Sequence, residues 1–125
     1  MKDRCIILIA DKNPHVRKFL QRELVSEGYG VKEAVNGKDV MEKIYSQELI
    51  DLLILDPDLP DADEILLFKK LHDRIPALPV IIHAHSEYSE MTKKFVATAF
   101  ILKNGNSVER LKKVVAEILT FEEIG

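Results

Sequence analysis

The stretch IILIADKNPH, residues 6–15, decides the fold of this 125-residue chain. It opens with five apolar residues, a pattern typical of a short strand that is buried on both faces. Asp11 ends the apolar run, Asn13 can cap a helix, and Pro14 suits a first helical turn. A buried strand that passes at once into a helix indicates an α/β protein.

The rest of the chain repeats this alternation of short apolar runs and amphipathic stretches. The predicted strands are residues 5–10, 31–35, 51–56, 78–84 and 99–103. The predicted helices lie within residues 13–30, 36–48, 63–75, 85–98 and 104–119. Asn36 and Gly37 are interpreted as a turn, Tyr45 as an inward-facing residue, and Ser107 as the cap of the last helix. Five strands alternating with five helices predict a doubly wound, five-stranded parallel sheet.

Composition narrows the class of protein. The formal net charge of −3 does not favour direct nucleic-acid binding, and no apolar run approaches the roughly 18 residues of a membrane span. The single cysteine, Cys5, cannot form an internal disulfide and fits a reducing cytoplasm. The length suits a single domain covering residues 1–125.

Charged residues follow three of the predicted strands. Asp11, Asp56 and Lys103 each come at a carboxyl end, where doubly wound sheets bind ligands. Any one acid there could simply mark the point where the chain enters water, but three charged residues together predict a site. Carboxylates can hold Mg²⁺ or attack phosphorus, and a lysine can bind phosphoryl oxygens.

Over nearly its whole length the chain resembles the receiver domain of two-component response regulators. The matching segments are ILIADKNPHVRKFL, EAVNGKDVMEKI, DLLILDPDLPDAD, LPVIIHAH and ATAFILKN, which begin at residues 7, 33, 51, 78 and 97. The resemblance implies a flavodoxin-like (βα)5 fold with strand order 2-1-3-4-5. It also implies a phosphoryl acceptor that takes its group from a histidine kinase with Mg²⁺.

The resemblance assigns roles to individual residues. Asp56 matches the phospho-acceptor and Lys103 the lysine that contacts the phosphoryl group. Asp11, Asp56 and the backbone carbonyl of Asp58 match the Mg²⁺ ligands. Phe100 matches the aromatic switch position on the fifth strand.

The first departure from the family is Lys12, which stands where receivers carry a second acid and a direct metal ligand. Two readings stay open: the ammonium lies near the metal position, or it swings into solvent on its flexible stem. We expect Mg²⁺ binding to be weak or absent. The Asp58 carboxylate could partly replace the missing acid, although a solvated loop acid is the simpler reading.

The second departure is Ala84, which replaces the Thr or Ser whose hydroxyl normally bonds the phosphoryl group. His83, His85 and Ser86 lie beside it, but His83 should point away from Ala84 along the strand. The bulk of His85 is expected to narrow access to Asp56. A metal site on the two histidines is disfavoured because the sequence offers no third ligand.

Two further departures affect loops. Asn104 replaces a proline that is usually cis in receivers, so a trans peptide or a rearranged NGN loop is expected. Glu64 replaces a glycine, which predicts strain or a changed loop if that backbone needs a positive φ.

Two functions follow from these observations. The first is a phosphorelay receiver, not an enzyme with a separate substrate. Its partners would be a histidine kinase or phosphotransfer protein, an output domain or partner protein, and a homodimer mate. The expected docking face combines the fourth helix, fifth strand and fifth helix and includes Met91, Lys94, Phe95, Phe100 and Lys112.

The alternative is a degenerate pseudo-receiver that binds proteins without phosphorylation, with Lys12 neutralising Asp11 and Asp56. A flavodoxin-like cofactor binder is disfavoured because no glycine-rich phosphate loop follows the first strand. The chain could be a free-standing receiver or part of a longer response regulator or hybrid kinase.

Overall fold

Five parallel strands form the centre of the molecule, in the order β2-β1-β3-β4-β5. The computed structural model describes residues 4–46, 48–61, 63–74, 76–85 and 97–124. The strands are β1 (Ile6–Ala10), β2 (Gly30–Ala34), β3 (Leu52–Leu55), β4 (Val80–Ala84) and β5 (Ala99–Leu102). The predicted strands and the strand order 2-1-3-4-5 are confirmed.

Four helices flank the sheet in the part of the chain that the structure describes. They are α1 (Pro14–Ser26), α2 (Gly37–Ile44), α3 (Glu64–Asp73) and α4 (Ser107–Ile124). The predicted helix at residues 85–98 lies almost entirely outside the described residues, so α4 corresponds to the last predicted helix. None of the helices in the described ranges is long and apolar enough to cross a membrane.

The core lies on both faces of the sheet, as a doubly wound fold requires. On one face α1 and α4 bury Leu24 and Leu111 against Ile9 and Ile54 of the central strands. On the other face α2 and α3 pack against the alternate strand residues. The buried members there include Leu8, Leu55, Val40, Ile44, Leu67 and Phe68. Strands buried on both sides leave their carboxyl ends as the accessible polar edge of the sheet.

The boundaries of α1 follow from its capping residues. The Asn13 side chain accepts hydrogen bonds from the His15 and Val16 amides, and Pro14 fills the first helical position. At the other end Gly28 has a φ of 99°, and its amide donates to the Val25 carbonyl. The next amide reaches back to the Leu24 carbonyl, which completes a glycine-terminated Schellman motif. Both predicted ends of this helix are confirmed.

Three local predictions are wrong. Gly37 is not part of the turn but the first residue of α2, and Asn36, in the bend before it, is the N-cap. Tyr45 is 52% exposed, because its hydroxyl donates to the Lys70 carbonyl at the surface instead of packing inward. Ser107 is not a cap but the first residue of α4, and its hydroxyl lies 3.1 Å from His83 Nε2.

Candidate functional site

A buried ionic triad lies at the carboxyl ends of β1, β3 and β5. The Lys103 ammonium lies 2.6 Å from Asp11 Oδ2 and 2.6 Å from Asp56 Oδ2. The three side chains are only 3–8% exposed. The predicted convergence of these three residues is therefore confirmed, because parallel strands bring their carboxyl ends to one edge.

The second oxygen of each carboxylate is held by the main chain. Asp11 Oδ1 accepts from the Asn13 amide and Asp56 Oδ1 accepts from the Asp58 amide, both at 2.9 Å. In each pair the donor lies two residues after the acid, which is an Asx turn. The backbone amide of Asp56 also bonds the Ala10 carbonyl of the neighbouring strand. Both carboxylates are therefore fixed in position by the loops that they begin.

The triad keeps Lys103 charged. Burial alone would lower the pKa of this lysine, but the hydrogen bonds that it donates to Asp11 and Asp56, together with the charges of those acids, raise it above its usual value. Two carboxylates and one ammonium leave the triad with a formal charge of −1. An electrophile that approaches Asp56 therefore meets a site with a net negative charge, in which the Lys103 ammonium already contacts the Asp56 carboxylate.

Lys12 does not enter this triad. Its ammonium lies 2.8 Å from Asp58 Oδ2, and the two side chains are 53% and 60% exposed. The expectation that Lys12 neutralises Asp11 and Asp56 is wrong in this structure, because Lys103 bridges both acids. The Asp58 carboxylate is likewise turned outward to Lys12 rather than into the site. Lys12 and Asp58 instead link the two loops that border the triad.

The donor set is reduced for Mg²⁺, which prefers near-octahedral oxygen coordination. Within the described ranges no three acidic, histidine or cysteine side chains cluster closely enough to hold a metal ion. Asp11 and Asp56 supply two carboxylates, and both are engaged by Lys103. The position that follows Asp11 supplies an ammonium rather than a ligand.

The loop between β3 and α3 is anchored by acids that the sequence analysis left without a role. Asp61 accepts hydrogen bonds from the Gly37 and Lys38 amides at the start of α2, at 2.5 and 3.1 Å. Those amides and the Lys38 charge lower the pKa of Asp61. Asp63 caps α3 by accepting from the Leu66 amide. Their spacing before a helix could have predicted the Asp63 cap, but nothing local predicts the partner of Asp61.

The first loop has its own anchor. Arg17 Nη1 donates to the Asp11 carbonyl at 2.7 Å, and its Nε lies 3.3 Å from Glu33 Oε1. Sequence reasoning missed this contact, because Arg17 lies on α1 and Glu33 on β2. Arg17 fixes the backbone from which Asp11 and Lys12 project.

Ala84 and His83 lie on opposite faces of β4, as predicted. Ala84 is fully buried on the face covered by α2 and α3, and it offers no hydroxyl. His83 is 3% exposed and lies against Ser107 of α4. Burial, and then the Lys103 charge, lower the pKa of His83 to about 4, so its imidazole is neutral at physiological pH. His83 therefore does not replace the missing hydroxyl.

The remaining predicted positions lie around this edge. Phe100 is half-buried on the same face as Ala84, whereas His85 is exposed. The side chain of Asn104 accepts from the Asn106 amide and shapes the loop before α4. Glu64 begins α3, and no described residue other than glycine has a positive φ, so the expected strain does not arise. Ser86 lies outside the described residues.

Lys112 of the predicted docking face is engaged within the domain. Lys112 turns toward α1, where its ammonium lies 2.8 Å from Glu23 Oε1 and its side chain is 19% exposed. Met91, Lys94 and Phe95 lie outside the described residues. Of the five residues named for this face, Phe100 and Lys112 therefore lie in the described part of the chain.

Sequence comparison identifies relatives of this chain among signalling proteins. The sensor protein EvgS of Escherichia coli K12 is 38% identical over 80 residues, which cover 64% of this chain and 7% of EvgS. The transcriptional regulator NtrC of the same organism is 33% identical over 98 residues, which cover 78% of this chain and 21% of NtrC. The chain thus spans only a small part of the curated relatives that it matches.

Solved structures and a family model also place this chain among signalling proteins. A CheY-like receiver domain from Methanospirillum hungatei JF-1 superimposes with a TM-score of 0.83 at 26% identity, covering 98% of this chain and 99% of that one. The response regulator TrrA of Thermotoga maritima, solved with Mg(2+)-BeF, gives 0.78 at 26% identity, with 91% and 98% covered. The family model for the response regulator receiver domain matches residues 7–116. The chain belongs to the response regulator receiver domain family.

Proposed function

We propose that this domain accepts a phosphoryl group on Asp56 from a histidine kinase or phosphotransfer protein. The observation that carries the proposal is the setting of Asp56 at the carboxyl end of β3. Its carboxylate is held between the Lys103 ammonium at 2.6 Å and the Asp58 amide at 2.9 Å, with Asp11 on the same lysine. Oriented carboxylates beside a cation are suited to attack phosphorus.

The chemistry uses groups that the chain already positions. One Asp56 oxygen attacks the phosphorus of phosphohistidine, the P–N bond breaks, and the imidazole nitrogen leaves with the bonding electrons. Lys103 lies within reach of the new phosphoryl oxygens and offsets part of their charge. Ala84 lacks the hydroxyl that receivers use to sense this group, so the response to phosphorylation must begin at another residue.

The proposal includes weak or absent Mg²⁺ binding. It is supported by a lysine, instead of a second acid, directly after Asp11 in the sequence and by the engagement of both carboxylates with Lys103. We further propose that the 125 residues act as one cytoplasmic domain that signals to an output domain, a partner protein or a second copy. EvgS is named a sensor protein and NtrC a transcriptional regulator, which supports kinase and output partners of this kind.

Incubation with acetyl phosphate, followed by intact-mass spectrometry, tests the acceptor role. The expected product is one acid-labile phosphoryl adduct, formed as acetate leaves. Asp56→Asn should abolish it, whereas Asp58→Asn, a matched change two residues away, should retain it. An adduct that persists in Asp56→Asn would refute the assignment. So would no adduct from either acetyl phosphate or a cognate kinase with Mg²⁺.

A further inference from the structure

Phosphorylation of Asp56 would leave the site short of positive charge. A carboxylate carries one negative charge, and an acyl phosphate carries up to two at neutral pH. With Asp11 ionised and Lys103 as the cation of the triad, the formal charge would change from −1 to about −2. In receivers with a full acidic pair a divalent metal supplies the missing charge, but here Lys12 replaces the second acid and Lys103 engages both remaining carboxylates.

Lys12 is placed to supply that charge. It follows Asp11 directly, and its ammonium is held by Asp58, which lies two residues beyond Asp56. Arg17 is not available for this role, because it is held by the Asp11 carbonyl and Glu33.

The contact between Lys12 and Asp58 is exchangeable. Both side chains are more than half exposed, and exposed ion pairs are weakly held in water. The lysine stem has four methylene groups, so the ammonium can leave Asp58 by rotations within its own side chain. A dianionic phosphoryl group is a stronger partner for an ammonium than a solvated carboxylate.

We propose that a phosphoryl group on Asp56 is bound by two ammonium groups, Lys103 from within and Lys12 from the rim, in place of a divalent metal. Before phosphorylation, the ion pair with Asp58 keeps the Lys12 ammonium at the rim of the site. The inference rests on the proposed acceptor role of Asp56. It assigns a ligand class to the site: a phosphoryl group, or a tetrahedral mimic of one, bound without Mg²⁺.

Two measurements test this proposal, with and without Mg²⁺. The first is the rate of Asp56 phosphorylation by acetyl phosphate, in EDTA or in Mg²⁺. The second is binding of beryllofluoride, which a carboxylate oxygen coordinates as a mimic of a phosphoryl group, followed by ¹⁹F NMR in buffer free of Mg²⁺. The second readout does not depend on phosphoryl transfer.

The expected results separate Lys12 from other lysines. The wild-type protein should be phosphorylated and should bind beryllofluoride without Mg²⁺, and Lys12→Gln should weaken that binding about tenfold. Lys12→Arg should retain most of it. Asp58→Asn should strengthen binding several-fold, because it releases Lys12 and keeps the Asp58 backbone. Lys18→Gln is the matched control, since Lys18 is an exposed lysine paired with Glu33, and it should change nothing.

The contrary outcomes are distinct. Phosphorylation and beryllofluoride binding that occur only with Mg²⁺ would overturn this inference and leave the acceptor role intact. Equal binding by wild type and Lys12→Gln would also overturn it. No adduct and no complex in either buffer would overturn both the inference and the proposed function.

Discussion

Removal of the Lys103 charge should destabilise the fold strongly at neutral and higher pH. In Lys103→Met the two carboxylates that the ammonium contacts at 2.6 Å would remain, 3% and 7% exposed, without their cation. Loss of one partner from a buried ion pair typically costs about 3–5 kcal/mol, and a small domain has only about 5–15 kcal/mol in total. We therefore expect a loss of about 3–5 kcal/mol near pH 8.

The loss should shrink as the pH falls. Without Lys103 the two buried carboxylates repel each other, and acid relieves that repulsion by neutralising a carboxylate. The variant should therefore regain stability in acid and lose it again as the pH rises. Adding Asp56→Asn to Lys103→Met removes one of the unpaired charges and should recover part of the stability near pH 8.

Urea unfolding followed by far-UV circular dichroism measures both effects. The matched control is Lys18→Met, which removes a lysine that is 68% exposed and should change the unfolding free energy by less than about 0.5 kcal/mol. A loss below about 1 kcal/mol near pH 8 for Lys103→Met, or one that does not shrink on acidification, would show that the triad does not hold the carboxylates as described.

Three further changes test other parts of the structure. Because burial holds the pKa of His83 at about 4 and an unfolded histidine titrates near 6.5, protonation favours the unfolded chain. The contribution of neutral His83 to the unfolding free energy should be fully present above about pH 6.5 and should fall by up to about 3 kcal/mol toward pH 4. Urea titrations between these two pH values should show no such fall in His83→Leu. Asp63→Ala removes the cap of α3 and should cost about 1 kcal/mol in the same assay, whereas an unchanged midpoint would argue against the cap. Lys12→Asp supplies the missing acid and should tighten Mg²⁺ binding at least about tenfold in a fluorescence or NMR titration; equal affinities would mean that position 12 does not limit the metal.

The fold and the triad were predictable because their causes are local or topological. Apolar runs of five or six residues specify buried strands, and parallel strands bring Asp11, Asp56 and Lys103 to one edge whatever the loops do. The α1 boundaries were predictable for the same reason, since Asn13 and Gly28 act on amides and carbonyls nearby in the chain.

The errors arise where a side chain chooses among distant partners. Lys12 could reach Asp11, Asp56 or solvent, and the structure selects Asp58 from a loop 46 residues away. Gly37 is typical of a turn by residue type, but its amide donates to Asp61, 24 residues later, at the start of α2. Ser107 suits a cap by type, but His83 of β4 occupies its hydroxyl. Such choices depend on tertiary contacts that no local pattern encodes.

The identity of the phosphorylated residue is the most direct test of the central claim. Borohydride reduces an aspartyl phosphate to homoserine, so treatment after acetyl phosphate, followed by peptide mapping, marks the acceptor on the chain itself. Asp11, Asp56 and Asp58 lie close together at this edge, and the peptide map distinguishes them by position. We predict homoserine at position 56 alone. Homoserine at position 11 or 58, or none at all, would contradict the account.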